Sequence, residues 1–138
     1  MTGLYAHNID AKGRLFIPAK LREELGSTFH VTIGDDGCLW VFSDEGWTKL
    51  MEKIGALPYS KAKMLRKLFA YAADCEPDAQ GRILLGTQLR QEVGLEKEVI
   101  ITGSFDRVEI WPANRWAELE SEVLNSKPIG EVMEELGL

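Results

Sequence analysis

The sequence predicts an α+β fold: two copies of a small β-hairpin module interleave about a pseudo-two-fold axis into a barrel, with flanking helices. Three observations lead there. Asp10-Ala-Lys-Gly-Arg14 returns as Asp78-Ala-Gln-Gly-Arg82, 68 residues later. The match continues without a gap, and eight of the seventeen positions in 10–26 are identical in 78–94: Asp10, Ala11, Gly13, Arg14, Leu21, Arg22, Glu24 and Gly26. Finally, one module of about 45 residues cannot bury enough apolar surface to be stable alone, so two in one chain are expected to supply each other's missing half.

Each copy reads in the same order. An extended segment, 4–9 in copy one and 75–77 in copy two, leads into the Asp-x-x-Gly-Arg turn. Asp10 and Asp78 are turn-forming because a carboxylate accepts from nearby backbone amides, and Gly13 and Gly81 because glycine takes positive φ. A strand follows, 15–17 or 83–85, and then a short helix. Pro18 suits that helix's first turn and Gly26 its C-terminal cap. Leu21 and Leu25 share one face. Two strands come next, 29–33 and 39–42 around the turn 34–37, or 99–102 and 108–111 around 103–106. A closing helix starts near Asp44 and near Ala113. After the second turn, which carries one extra residue in copy two, Trp47 aligns with Trp116 and Leu50 with Leu119.

The chain divides into module 1 at 4–47, a helical connector at 48–71, module 2 at 72–116 and an acidic C-terminal helix or tail at 117–138. In the connector Ser60 is a candidate N-cap. Leu65, Leu68, Phe69 and Ala72 follow the spacing of one buried stripe, with Lys63 and Lys67 on the other side.

Composition narrows the function. Hydrophobic residues make up 45% of the chain and charged residues 28%, which is ordinary for a soluble globular protein. No apolar run approaches the roughly 18 residues of a membrane span, and no basic-then-apolar leader opens the chain. These features point to a cytoplasmic protein without a membrane partner. Cys38 and Cys75 are the only cysteines, so packing thiols are expected and neither a zinc site nor a disulfide framework. The net charge of −6 opposes whole-surface attraction to nucleic acid, but it is unevenly placed. Residues 96–138 hold 4 basic and 10 acidic side chains, whereas residues 1–22 hold Lys12, Arg14, Lys20 and Arg22 against Asp10 alone.

The run from Asn8 to Pro18 resembles the opening of an AbrB-like (SpoVT/AbrB) swapped-hairpin DNA-binding module. Two such modules in one chain resemble the MraZ family of bacterial regulators. The resemblance rests on the duplicated turn, Pro18, Leu21-Arg22, the paired Trp47 and Trp116, and the run from Gly94 to Val99. It implies a transcription regulator encoded beside cell-division and cell-wall genes, located in the cytoplasm and at the nucleoid. It also implies binding to double-stranded DNA at short promoter repeats, self-association into a ring-shaped homo-oligomer, and no cofactor. The family's basic turn maps onto Lys12 and Arg14 in copy one and onto Arg82 in copy two, where Gln80 stands in place of Lys12. Lys20, Arg22 and Arg90 would flank the site or lie on ordinary helix surface. Arginine can fork onto guanine O6 and N7 or onto a phosphate, while lysine acts as a point charge.

Two other classes compete. A non-DNA interaction module, antitoxin-like or scaffolding, could use the acidic C-terminal third and the tryptophans Trp40, Trp47, Trp111 and Trp116, although these are expected to pack cores and subunit interfaces. An enzyme is not expected: His7 and His30 stand alone, and no phosphate loop, dinucleotide fingerprint or metal-ligand cluster occurs. Asp10 and Asp78 could mimic a carboxylate dyad, but each sits beside its own arginine.

Overall fold

The computed structural model describes residues 1–138. The chain opens with β1 (Leu4–Asn8) and β2 (Arg14–Phe16), joined by the first Asp-x-x-Gly-Arg turn. Pro18, at φ −52°, is the N-cap of α1 (Ala19–Leu25), and its carbonyl accepts from the amides of Leu21 and Arg22. Leu21 and Leu25 are buried on one face, and Gly26 at φ 87° ends the helix. The hairpin β3 (Phe29–Ile33) and β4 (Leu39–Phe42) follows. Ser43 then caps α2 (Asp44–Gly55), its hydroxyl accepting from the Gly46 amide at 3.1 Å.

The connector breaks into α3 (Tyr59–Ala62), a 3₁₀ turn (Lys63–Leu65) and α4 (Arg66–Ala70). Copy two supplies β5 (Ala73–Cys75), β6 (Arg82–Leu84), α5 (Thr87–Val93), β7 (Glu98–Ser104), β8 (Arg107–Pro112) and α6 (Ala113–Leu119). A π-type turn (Glu120–Leu124) and α7 (Ile129–Glu135) end the chain. No helix is long and apolar enough to cross a membrane.

All strand pairs are antiparallel. They form a six-stranded sheet in the order β1-β7-β8-β4-β3-β5 and a separate ribbon of β2 with β6. Exchanging each strand for its equivalent in the other copy returns the same order, reversed. The copies therefore interleave: β1 pairs with β7 and β5 with β3, while β4 meets β8 and β2 meets β6. One cluster of 18 buried residues draws on both copies through equivalents such as Leu15 with Ile83, Leu21 with Leu89 and Val31 with Val99. Burying each such side chain is worth about 1.5–3 kcal/mol, so separating the copies would forfeit most of the core.

The sheet's opposite face carries a smaller cluster of Cys38, Trp111 and Leu119, with Trp40 and Trp116 against it. Both cysteines are free and buried, and burial pushes the thiol of each up from its ordinary pKa. Glu109 is a buried carboxylate, and its charge is met. Arg107 donates to it at 3.0 Å and Trp111 Nε1 at 3.3 Å, while the same guanidinium covers Trp40 at 4.4 Å. Trp47 stacks on His30. The tryptophans thus pack within one subunit.

Several expectations are corrected. The expected barrel does not close, because β2 and β6 pair only with each other and the six-stranded sheet keeps β1 and β5 as edges. β5 lies at Ala73–Cys75, two residues before the extended segment expected at 75–77. Pro77 has no amide to donate, whereas its counterpart Ile9 donates to the Lys97 carbonyl at 2.8 Å. Ser60 does not cap its helix. Pro58 holds that position at φ −55°, and its carbonyl accepts from Lys61 and Ala62. The connector stripe is only half-buried, with Phe69 exposed: α4 spans only Arg66–Ala70, so Leu65 lies before it and Ala72 past its end, and the four do not share one helix face.

Candidate nucleic-acid interface

The two Asp-x-x-Gly-Arg turns are built alike. Asp10 Oδ1 accepts from the amides of Lys12 at 3.0 Å and Arg14 at 2.9 Å, and Oδ2 accepts from Arg14 Nε at 2.7 Å. Asp78 Oδ1 accepts from Gln80 and Arg82 at 2.9 Å each, and Oδ2 from Arg82 Nε at 2.9 Å. In each, the glycine amide donates to the aspartate carbonyl, at 3.0 Å from Gly13 and 2.9 Å from Gly81. The aspartate therefore both shapes the turn and orients the arginine. Its carboxyl is held below the ordinary carboxylate pKa, chiefly by the amide of Arg14 or Arg82, against an opposing cost of desolvation. The arginine side chain and the second amide add to the lowering.

Register sets what the turns present. Arg14 lies across from Leu84 and Phe16 across from Arg82, so these four side chains share one face of the ribbon. Leu15 and Ile83 take the other face and are fully buried. Two arginines from different copies thus stand on one outward surface. Neither terminal nitrogen of Arg14 has a hydrogen bond to the protein; its only such side-chain bond is the one from Nε. Arg82 is less free, because its Nη1 lies 4.0 Å from Asp10 Oδ2.

The helical arginines cross between copies. Arg22 lies over turn two: a Cβ on Gly81, at φ 80°, would stand 2.7 Å from its Cζ. Arg90 lies over turn one: a Cβ on Gly13, at φ 84°, would stand 3.1 Å from its Nη2. Each glycine is required for its positive φ, and the other copy's guanidinium lies close over it. Arg22 Nε donates to the Ile17 carbonyl at 2.7 Å and its guanidinium covers Phe16 at 5.4 Å; Arg90 Nε donates to the Leu85 carbonyl at 2.9 Å. Lys12 is exposed on the turn. Lys20 is not brought to the turns. Its ammonium donates to Thr2 Oγ1 at 3.3 Å, beyond the end of β1 that lies away from Asp10.

Sequence reading left Arg22 and Arg90 either flanking the site or on ordinary helix surface, and missed their exchange between copies. It also missed Phe16 and Leu84 on the outward face. Strand alternation through Arg14-Leu15-Phe16 and Arg82-Ile83-Leu84 carried that second signal.

Comparison with known proteins bears on this arrangement. A family model described as MraZ protein, antitoxin-like, matches twice, over residues 1–66 and 68–135. A protein of Heliobacterium modesticaldum named transcriptional regulator MraZ is 48% identical over 127 residues, covering 90% of this chain and 89% of that protein. One of the same name from Lachnoclostridium phytofermentans is 45% identical over 138 residues, covering 99% and 96%. Another, from Carboxydothermus hydrogenoformans, is 51% identical over 117 residues, covering 83% and 82%. Matched along nearly its whole length, the chain belongs to the MraZ family.

Proposed function

We propose that this protein is a transcriptional regulator that binds double-stranded DNA sequence-specifically through the outward face of the β2–β6 ribbon and its two turns. One observation carries the reading. Arg14 and Arg82 stand on a single exposed face, each pre-oriented by an aspartate through Nε, with the terminal nitrogens of Arg14 free. Such a guanidinium engages guanine O6 and N7 or a phosphate with little further ordering cost. The names of the relatives support the regulatory role. The interleaved strand order supports an AbrB-like swapped-hairpin architecture with modules at 4–47 and 72–116, the connector at 48–71 and the tail at 117–138.

Lys12 and Arg14 make the main contacts, Arg82 a weaker one, and Arg22 holds turn two while Lys20 adds charge at a distance. A site with so few cations binds weakly alone, since each phosphate engaged adds only about 0.9 to the salt slope of log K. A ring-shaped homo-oligomer raises the effective concentration, because several turns engage one DNA at once. Such an assembly suits repeated promoter elements, and family membership supports the cell-division and cell-wall gene cluster as the target and the cytoplasm and nucleoid as the location. A gel-shift with the DNA upstream of the protein's own gene tests this. The wild type retards it, Arg14→Ala does not, and the mass of the assembly is the same for both. An unchanged affinity and salt slope for Arg14→Ala would overturn the assignment. The antitoxin-like alternative predicts a stable protein partner in pull-downs and no DNA retardation at low salt.

A further inference from the structure

Leu119 is the last buried residue, and every residue from Glu120 to Leu138 is exposed. Yet α7 is amphipathic: Ile129, Val132, Met133 and Leu136 fall at i, i+3, i+4 and i+7, with Ile129 76% and Leu136 70% exposed. A seven-residue helix is marginal in water, where isolated helices shorter than about 12–15 residues rarely hold. Such a stripe calls for a partner surface. Val123 and Leu124 still line a groove with Trp40 and Trp111, but past Leu124 no residue is buried on its own subunit. Asn125 and Ser126 donate back to the carbonyls of Glu120 and Val123, which fixes the direction in which the chain leaves α6.

A complementary surface lies on the connector. Residues 53–73 hold Lys53, Lys61, Lys63, Arg66 and Lys67 and no acidic residue, whereas 129–138 hold Glu131, Glu134 and Glu135 and no basic one. A groove of about 380 Å³ runs beside it, lined by Ile33, Trp40, Met64, Leu65 and Leu68, with Lys67 and Asp35 also at its walls. Met64 is 79% exposed, and Leu57, Tyr59 and Phe69 add exposed apolar surface nearby.

We propose that α7 docks on the connector of a second copy of this chain, its apolar stripe in that groove and its glutamates against the connector's cations. The proposal rests on the self-association proposed above and names the two surfaces that make it. Donor and acceptor surfaces differ, so the contact is head-to-tail, and repeating it closes a ring or runs on as a filament. One short helix buries far less than the roughly 1,600 Å² of a stable interface, so each strap is weak and closure of the ring provides the strength.

Light scattering on the full chain compares the wild type with a variant carrying Ile129→Ser, Val132→Ser and Leu136→Ser. These positions lie outside the core, so the variant keeps its strand signal in circular dichroism and a cooperative unfolding transition. The variant's assembly concentration rises by about tenfold or more, as for loss of interface anchors. A wild type that is monomeric throughout overturns both the docking and the self-association. A variant that assembles as the wild type does overturns the docking alone. Mixing Met133→Cys chains with tagged Met64→Cys chains and adding oxidised glutathione as the electron acceptor yields a disulfide between chains. A chain carrying both substitutions that closes on itself as a monomer would overturn the proposal in favour of a fold-back tail.

Discussion

Turn one and turn two match almost bond for bond, yet they offer different charge. Each aspartate takes two amides and one Nε, and each glycine lies under the other copy's arginine. Around that shared frame, residues 8–16 carry Lys12 and Arg14 against Asp10, a net +1, while 76–84 carry Arg82 against Glu76 and Asp78, a net −1. The structure widens the gap, because Arg82 also approaches Asp10 and no equivalent approach of Arg14 to Asp78 occurs. Backbone geometry is thus repeated while surface charge diverges, as expected when one property holds the fold and the other meets a partner.

The largest expected effect comes from removing the cations of turn one. Lys12→Ala with Arg14→Ala abolishes promoter retardation while the melting transition holds, because neither side chain packs in the core. Retained binding would break the asymmetry outright. The next effect is on stability. Gly81→Ala and Gly13→Ala each lower it by about 1–2 kcal/mol for the positive φ alone. Gly13→Ala costs more, because its Cβ would meet the fixed Leu85 carbonyl at 3.1 Å, where that of Gly81 meets only the guanidinium of Arg22, which can swing aside. Chemical denaturation of both variants measures this, and the reverse order would sink the close-approach argument.

Much of this contrast was legible in the chain. The repeat, the turns and the exchange of Lys12 for Gln80 are written in residue identity, and Pro18, Gly26 and the starts of α2 and α6 follow from local chemistry. The interleaving was expected from module size, and the strand order bears it out. Other features depend on long-range pairing that no local pattern encodes. β7 and β8 run to Ser104 and from Arg107, longer than their apolar runs, because they pair with each other to the hairpin tip and the amides of Gly103 and Phe105 donate to the carbonyls of Gly3 and Met1. The helix expected after Ser60 is broken into two short helices around a 3₁₀ turn, which its residue spacing does not reveal. The placing of Arg22 over turn two required knowing that β2 pairs with β6.

Smaller effects sharpen the comparison. Gln80→Lys gives turn two the cation it lacks, and it steepens the salt dependence of log K by about 0.9 for each further phosphate the new ammonium engages. An unchanged slope across a salt titration would mean that turn two does not face the DNA. The smallest effect is in acid. Asp10 and Asp78 are held below their ordinary pKa, so their bonds stabilise the turns above the unfolded value of about 3.9 and are lost only as pH falls through the lower folded values. Carboxyl-carbon NMR titration checks this: both midpoints fall below about 3.9, and a midpoint at or above it would contradict the turn geometry.

The inequality of the two turns is tested most directly by binding Arg14→Ala and Arg82→Ala to the same promoter DNA across one salt series. Arg14→Ala loses more affinity than Arg82→Ala at every salt concentration. Equal losses, or a larger loss for Arg82→Ala, would contradict it.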